Sequence, residues 1–413
     1  MSDPTRDAAF DLVSAVLDKG RALDAAIDSL PPIDSRDRAA GHRLAAAVLR
    51  RLGTLDAALE PYLKKAPPAP VHHVLRIGAA GLLLLGTPAH AAVATAVALA
   101  RRRGLTPFAG LVNAVLRKVA TSGPASLDLL DSPRLDTPAW LWTSWGSQAR
   151  DIALAHQLEA PLDLTIPDGA TIPEGAIQLP TGSWRLDAGT PVTELAGFDT
   201  GSWWVQDAAA ALPARVLAAQ PGERVIDLCA APGGKTAQLA QAGATVTAVE
   251  LDPGRMTRLR ENLARLHLAA DCVTADAETW RPAEPADAVL LDAPCTATGT
   301  IRRHPDALRL KRPKDVASLA AQQDRLLDAA VAMLRPGGRL VYAVCSLQPE
   351  EGEKRFAAAL ARLPLTALKI DAAALGLPEA ARPDGTLRTT PALWPERGGM
   401  DGFFIGLAER SVH

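Results

Sequence analysis

The stretch Arg224-Val225-Ile226-Asp227-Leu228-Cys229-Ala230-Ala231-Pro232-Gly233-Gly234-Lys235-Thr236 decides the fold of the C-terminal half of this chain. A short apolar run ends at Leu228 and meets a turn rich in Pro and Gly, beyond which residues 235–241 read as a helix. A strand that turns through glycines into a helix lets a ligand approach the backbone at the helix N-terminus. Gly233-Gly234-Lys235-Thr236 also looks like the end of a phosphate-binding P-loop. That motif needs Gly five positions before Gly234, where this chain has Cys229, so the P-loop reading is disfavoured.

Downstream the same alternation repeats. Strands are expected at 224–228, 245–251, 288–292, 340–345 and 403–407, and helices at 235–241, 254–266, 316–334 and 350–363. This is how a doubly wound parallel sheet reads, and it predicts an α/β Rossmann-like domain over 216–413. The second strand closes on Ala248-Val249-Glu250, where a carboxylate is placed to accept both hydroxyls of a ribose. A third strand edge offers Asp276, near where an adenine would lie. The fourth delivers Asp292-Ala293-Pro294-Cys295 and the fifth Tyr342-Ala343-Val344-Cys345-Ser346. Ligands of open α/β sheets bind at the C-terminal strand ends, so the Gly-rich turn, Glu250, Asp276, Asp292 and two cysteines should share one edge.

Paired cysteines beside a carboxylate answer a definite chemical problem. C5 of cytosine is too weak a nucleophile to take a methyl group from a sulfonium, but a thiolate that adds at C6 places electron density on C5. A carboxylic acid near N3, for which Asp292 is the candidate, stabilises the charge that develops on the ring.

Towards the N-terminus the pattern differs. Residues 1–150 repeat apolar positions at helical spacing, as in Leu44, Val48 and Leu52, and predict a bundle of roughly five to seven helices. The apolar stretch 78–100 is long enough to span a bilayer, but Gly86-Thr87-Pro88 interrupts it, as in two buried helices joined by a turn. Residues 151–215 turn to short Pro- and Gly-punctuated pieces and read as a small α/β connecting module.

Net charge is only −2, yet residues 36–118 hold thirteen Lys or Arg against three acids. A solvated helical surface and a grip on a polyanion both fit. The segment Arg302, Arg303, Arg309, Lys311, Arg312 and Lys314, against Asp306 alone, is a second basic run, directly after the Cys295 loop. Trp140, Trp142, Trp145, Trp203 and Trp204 suit core packing better than base stacking. The four cysteines lack CxxC spacing, which argues against a disulfide scaffold and against a zinc or other metal site. No export signal is visible, so a cytoplasmic protein without membrane partners is the expectation; a monomer is expected as well.

Together, Asp227 to Thr236, Asp292 to Cys295, Thr298-Gly299-Thr300-Ile301-Arg302-Arg303-His304-Pro305, Cys345-Ser346, Val205-Gln206-Asp207, Pro336-Gly337-Gly338 and Met400-Asp401-Gly402-Phe403-Phe404 resemble the RNA 5-cytosine methyltransferase family. The resemblance implies S-adenosyl-L-methionine as cofactor, held by Cys229, Ala230, Ala231, Pro232, Gly233, Gly234 and Lys235 and by Glu250, Asp276 and Asp292. It also implies Cys345 as nucleophile and Cys295 as the releasing cysteine, which spacing alone does not assign. By analogy with DNA cytosine methyltransferases, Cys295 would attack instead. Glu250 stands where the family often has Asp, and Val344 where it usually has Thr.

Through Gly110-Leu111-Val112-Asn113-Ala114-Val115-Leu116-Arg117, residues 1–150 are similar to the helical domain of the NusB family. The combined architecture resembles the branch of the methyltransferases that acts on 16S ribosomal RNA. RNA is thus the implied partner, with Arg302, Arg303 and His304 at the target and the 36–118 cations on the backbone. A target cytosine must be single-stranded or flipped out. The rival readings are methylation of tRNA or 23S rRNA, a small-molecule methyltransferase, and a non-catalytic RNA-binding factor. The first is open, the second leaves the cysteine pair unexplained, and intact Asp292, Cys295 and Cys345 speak against the third.

Overall fold

Strand direction, helix length and chain course follow from where apolar side chains can be buried, and the computed structural model, which describes residues 3–412, sorts them into two units. The first runs to Gln157 and also takes in Arg303–Lys311; the second comprises Leu158–Arg302 and the chain from Arg312 on.

The first unit is helical. Its α-helices are Pro4–Leu17, Leu23–Ile27, Ser35–Arg50, Leu52–Leu59, Ala69–Leu83, Ala89–Arg102, Ala109–Ser122, Ser132–Asp136, Ala139–Trp145, Ala149–His156 and Ala307–Leu310. They outnumber the expected five to seven because several last barely one turn, too short to carry an apolar repeat. The core joins Leu12, Leu49, Leu55, Leu75, Leu99 and Leu116. As expected, 78–100 is not one span: a turn after Leu83 separates the helices Ala69–Leu83 and Ala89–Arg102. Among the described residues no helix is long and apolar enough to cross a membrane.

The second unit begins with a four-stranded antiparallel sheet of β1 (Leu162–Thr165), β2 (Ile177–Gln178), β3 (Trp184–Leu186) and β4 (Trp204–Val205), in the order β2-β3-β1-β4. Trp203, wholly buried, and Leu164 fill its small core.

The larger sheet consists of β5 (Arg224–Leu228), β6 (Thr245–Glu250), β7 (Asp271–Thr274), β8 (Ala286–Asp292), β9 (Leu334–Val344), β10 (Leu365–Leu368), β11 (Leu387–Arg388) and β12 (Phe404–Arg410). Its order is β10-β12-β9-β8-β5-β6-β7, with β11 against β12. β7, β6, β5, β8 and β9 run parallel. β12, expected as one more parallel strand, instead runs antiparallel to β9, Phe404 opposite Val344, and so the sheet is mixed.

Both faces are covered, which explains the unbroken apolar strands. Val225, Leu290 and Val341 pack with Leu212, Leu217 and Leu239 on one face, whereas Ile226, Val289, Leu291 and Leu340 meet Leu326, Leu327 and Phe356 on the other. The β5–β6 and β8–β9 crossovers run through the helices Gly234–Gln241 and Pro313–Met333, so the C-terminal ends of β5, β6, β8 and β9 fall on one edge.

Candidate active site

At the end of β5 the chain turns sharply. Cys229 has φ 60°, and Gly233, the N-cap of the helix Gly234–Gln241, has φ 100°. A Cβ on Gly233 would lie 3.0 Å from Leu259 Cγ, so both backbone angle and packing require glycine there. The turn is braced by Ala230 N–H donating to Val249 O at 3.1 Å and Gly233 N–H to Ala230 O at 2.9 Å. Glu250, at the end of β6, is buried; it accepts the Asp252 N–H at 3.0 Å and lies 3.4 Å from Ala231 N. A carboxylate so held keeps lone pairs for further donors, as an adenosine ribose requires. Asp276 lies exposed in the loop after β7, its Oδ1 accepting the Glu278 N–H at 2.9 Å. The loop, Glu250 and Asp276 therefore fit a nucleoside cofactor at the expected edge.

Beside them Lys235 Nζ donates to Asp292 Oδ2 at 2.7 Å. Burial lowers the pKa of this ammonium, but Asp292, by charge and hydrogen bond, and Asp227 outweigh that, and the net shift is upward. The pair thus holds a proton between carboxylate and amine, which refines the idea of Asp292 as a lone acid.

Cys295 and Cys345, fifty residues apart in sequence, bring their sulfurs to 3.4 Å. Cys345 follows β9 and Cys295 follows β8, and these strands are paired with Asp292 opposite Ala343. The two loops are stitched further by Ala293 N–H to Ala343 O and Gly299 N–H to Cys345 O, both 2.9 Å. Gly299 is itself pressed on the chain: a Cβ there would lie 1.9 Å from Gly402 O. The hydrogen bond with Cys345, then burial, holds the Cys295 thiol well above its ordinary pKa, so Cys295 keeps its proton. Burial and the carboxylates Glu250 and Asp292 also push the Cys229 thiol up, which leaves it unreactive beneath the turn.

The three residues expected at the RNA differ in setting. Arg302 is 1% exposed and donates to Gly398 O at 2.6 Å, Asp207 at 3.2 Å and Asp401 at 3.5 Å. It is a structural guanidinium, which corrects the expectation of a substrate contact: buried charge is tolerated because it is paired. Asp207 and Asp401, parts of the motifs Val205-Gln206-Asp207 and Met400 to Phe404, thereby receive a role. Arg303 and His304 belong to the first unit, where His304 Nδ1 is 3.4 Å from Asp24. Arg309 there donates to Asp136 O at 2.8 Å. Of the 36–118 cations, Arg51, Arg76, Arg102 and Arg103 pair with Asp136, Asp56, Asp7 and Asp11, while Arg36, Arg43, Lys64, Lys65, Arg101, Arg117 and Lys118 stand on the surface. Trp145, Trp203 and Trp204 are buried, as core packing requires.

Sequence reasoning missed Glu351, which binds both cysteine loops. Its only signal was an acidic run, Glu350-Glu351-Gly352-Glu353, which reads as an ordinary solvated helix start.

Comparison with known proteins gives this geometry a family. Residues 214–408 match the family model described as 16S rRNA methyltransferase RsmB/F, and residues 3–121 match the NusB family. A ribosomal RNA small subunit methyltransferase B from Xanthomonas campestris is 39% identical over 391 residues, covering 87% of this chain and 88% of its own. The protein of that name from Vibrio cholerae is 35% identical and covers 98% of this chain and 97% of its own. In fold, the crystal structure of PH0851 aligns at TM-score 0.76 and 22% identity, covering 99% of both chains. A methyltransferase homolog protein from Pyrococcus horikoshii aligns at TM-score 0.53 and 26% identity, over 66% of this chain and 94% of its own. With relatives this similar over nearly the whole length, and with a NusB-type helical unit joined to a methyltransferase domain, the chain belongs to the 16S rRNA methyltransferase RsmB/F family.

Proposed function

We propose that this protein methylates carbon 5 of a cytosine in 16S ribosomal RNA, using S-adenosyl-L-methionine and a transient bond between Cys345 and C6 of the base. The observation that carries this reading is the pair of sulfurs 3.4 Å apart at the strand ends where Lys235 and Asp292 also meet. When bound, the cofactor supplies an electrophilic methyl group. Cys229 to Lys235 hold it by backbone and side chain, Glu250 its ribose, and Asp276 its adenine side.

The chain's own groups do the rest. Cys295 keeps its proton and offers it in a hydrogen bond to Cys345, which releases its own proton to solvent and attacks as the thiolate; the Lys235 ammonium, which feels the charge on Cys345, supplies positive potential beside it. As the C6–S bond forms, the ring's electrons move towards C5 and N3, and the Lys235–Asp292 pair supplies the proton that N3 takes up. The C5 proton then passes to solvent water, the C6–S bond breaks with its electron pair returning to Cys345, and N3 gives its proton back to the Lys235–Asp292 pair. The Cys295 S–H meets that leaving sulfur and assists release.

Surface cations of the helical unit, Lys64, Lys65, Arg117 and Lys118 among them, hold the RNA backbone without reading sequence. The working place of such a protein is the cytoplasm, where four free cysteines persist reduced.

The test is covalent trapping. Cys295→Ala is expected to accumulate an RNA adduct, seen as a shifted band on a denaturing gel, whereas Cys345→Ala forms none. The opposite pattern exchanges the cysteine roles, and no adduct with either variant rules out the covalent route. Mapping 5-methylcytosine in 16S rRNA with and without the gene checks the substrate.

A further inference from the structure

Two loops that meet at one substrate atom need something to fix their spacing, and here a single carboxylate touches both. Glu351 lies six residues beyond Cys345, in the turn before the helix Glu353–Arg362, and is wholly buried. Its Oε1 accepts the Thr296 backbone N–H at 2.8 Å, and Gln323 Nε2 lies 3.4 Å away. Its Oε2 accepts the Ser346 hydroxyl at 2.5 Å and the Thr296 hydroxyl as well. Thr296 directly follows Cys295 and Ser346 directly follows Cys345.

The surroundings extend the clamp. Gln323, on the helix Pro313–Met333, also donates to Pro294 O at 2.9 Å, on the other side of Cys295. Tyr342, in the strand that delivers Cys345, donates its hydroxyl to the Glu351 backbone carbonyl at 2.5 Å. Leu347 N–H reaches Thr298 Oγ1 at 2.9 Å, a second tie between the loops. Buried hydrogen bonds to a carboxylate are short, directional and costly to break, so this node resists relative motion of the two loops.

We propose that Glu351 is a positioning residue, which locks the Cys295 and Cys345 loops together so that both sulfurs address the same pyrimidine ring. The inference rests on the covalent reading above. Its negative charge also lies near Cys295 and favours the protonated thiol there. Neither sulfur touches the carboxylate: the effect passes through Thr296 and Ser346.

The experiment compares Glu351→Ala, Glu351→Asp and Glu351→Gln, reading kcat and KM on RNA, the Kd for S-adenosyl-L-methionine, and the rate at which diamide oxidises Cys295 and Cys345 to a disulfide. In that reaction the two thiols lose two electrons and two protons to the reagent, and its rate reports how often the sulfurs are adjacent. Glu351→Ala is expected to lower kcat by on the order of 100-fold, the cost of a misplacement near 1 Å. The cross-linking rate should fall about tenfold with it, while cofactor Kd stays within about twofold. Glu351→Gln keeps the length and an acceptor for Thr296 N–H, and its amide can donate to hydroxyls that rotate to accept. It is expected to restore most of both rates, whereas Glu351→Asp, one carbon shorter, restores little.

Wild-type kcat and cross-linking in Glu351→Ala would overturn the proposal. So would parallel losses of kcat and cofactor affinity, the mark of general damage. Should Glu351→Ala not fold, the Asp and Gln variants decide alone: equal behaviour of the two overturns it. Failure of the covalent reading is separately visible, because Cys295→Ala then traps no adduct whatever Glu351 does.

Discussion

Asp227 shows what the cofactor edge costs at the scale of one side chain. It is wholly buried at the end of β5; one carboxylate oxygen accepts the Thr236 hydroxyl at 2.6 Å, and the other has no hydrogen-bond partner. Burial pushes its carboxyl up to about 7, against the pull of Thr236 and Lys235. An acid whose folded pKa lies above its unfolded value of 3.8 contributes stability that is complete below that value and is lost as pH rises through about 7. Asp227→Asn keeps the acceptor for Thr236 and removes the titration. Thermal melts from pH 4 to pH 8.5 should therefore show the variant gaining on wild type as pH rises, by about 2–4 °C for each kcal/mol recovered. A gap independent of pH would mean that Asp227 does not titrate as described. The side chains of the site differ in how far they were legible. Asp292, Cys295, Glu250 and the Gly-rich turn announce themselves because each sits in a local strand-to-turn pattern. Glu351 does not, since the loop it holds is 55 residues away in sequence and its acidic neighbours disguise it.

Turns that a ligand must approach are built from strained backbone, and Gly233 is the clearest case at the scale of an element. Alanine there would need φ near 100° and would crowd Leu259. Gly233→Ala is expected to cost about 1–3 kcal/mol of stability and to weaken cofactor binding with it, measured by melting temperature and calorimetric Kd. Gly110 is the control: it lies exposed in the helix Ala109–Ser122 with open space around it, and Gly110→Ala should stabilise by roughly 0.5–1 kcal/mol. Unchanged cofactor affinity in Gly233→Ala would remove the turn from the binding site. The parallel strands were readable because burial on both faces gives continuous apolar runs. Direction was not: Phe404-Ile405-Gly406-Leu407 carries the same run whichever way it points, and only its pairing with β9 makes it antiparallel. β10 and β11, four and two residues long, are too short for any periodicity to mark them.

For the whole molecule the informative segment is Arg303–Lys311, which belongs to the helical unit although it follows the Cys295 loop in sequence. Its cations suggested a place beside the RNA target, because charge is visible in a sequence and packing is not. In the structure Asp306 accepts the Leu23 N–H at 3.0 Å, Arg309 reaches Asp136 O at 2.8 Å, and Ala307 and Leu308 are buried. Such a segment cannot keep its conformation if the helical unit is removed, since its buried apolar and polar groups would lose their partners together. Deleting residues 3–157 is therefore expected to raise amide exchange from Arg303 to Lys311 and onward into the Cys295 loop, while β5, β6, β8 and β9 stay protected. Activity on a short RNA that needs no backbone grip should fall at least tenfold, about 1.4 kcal/mol of transition-state stabilisation, with cofactor affinity preserved. If the truncated protein retained full kcat on that RNA, the helical unit would serve RNA capture alone. Loss of kcat with intact cofactor binding would make it part of the catalytic architecture.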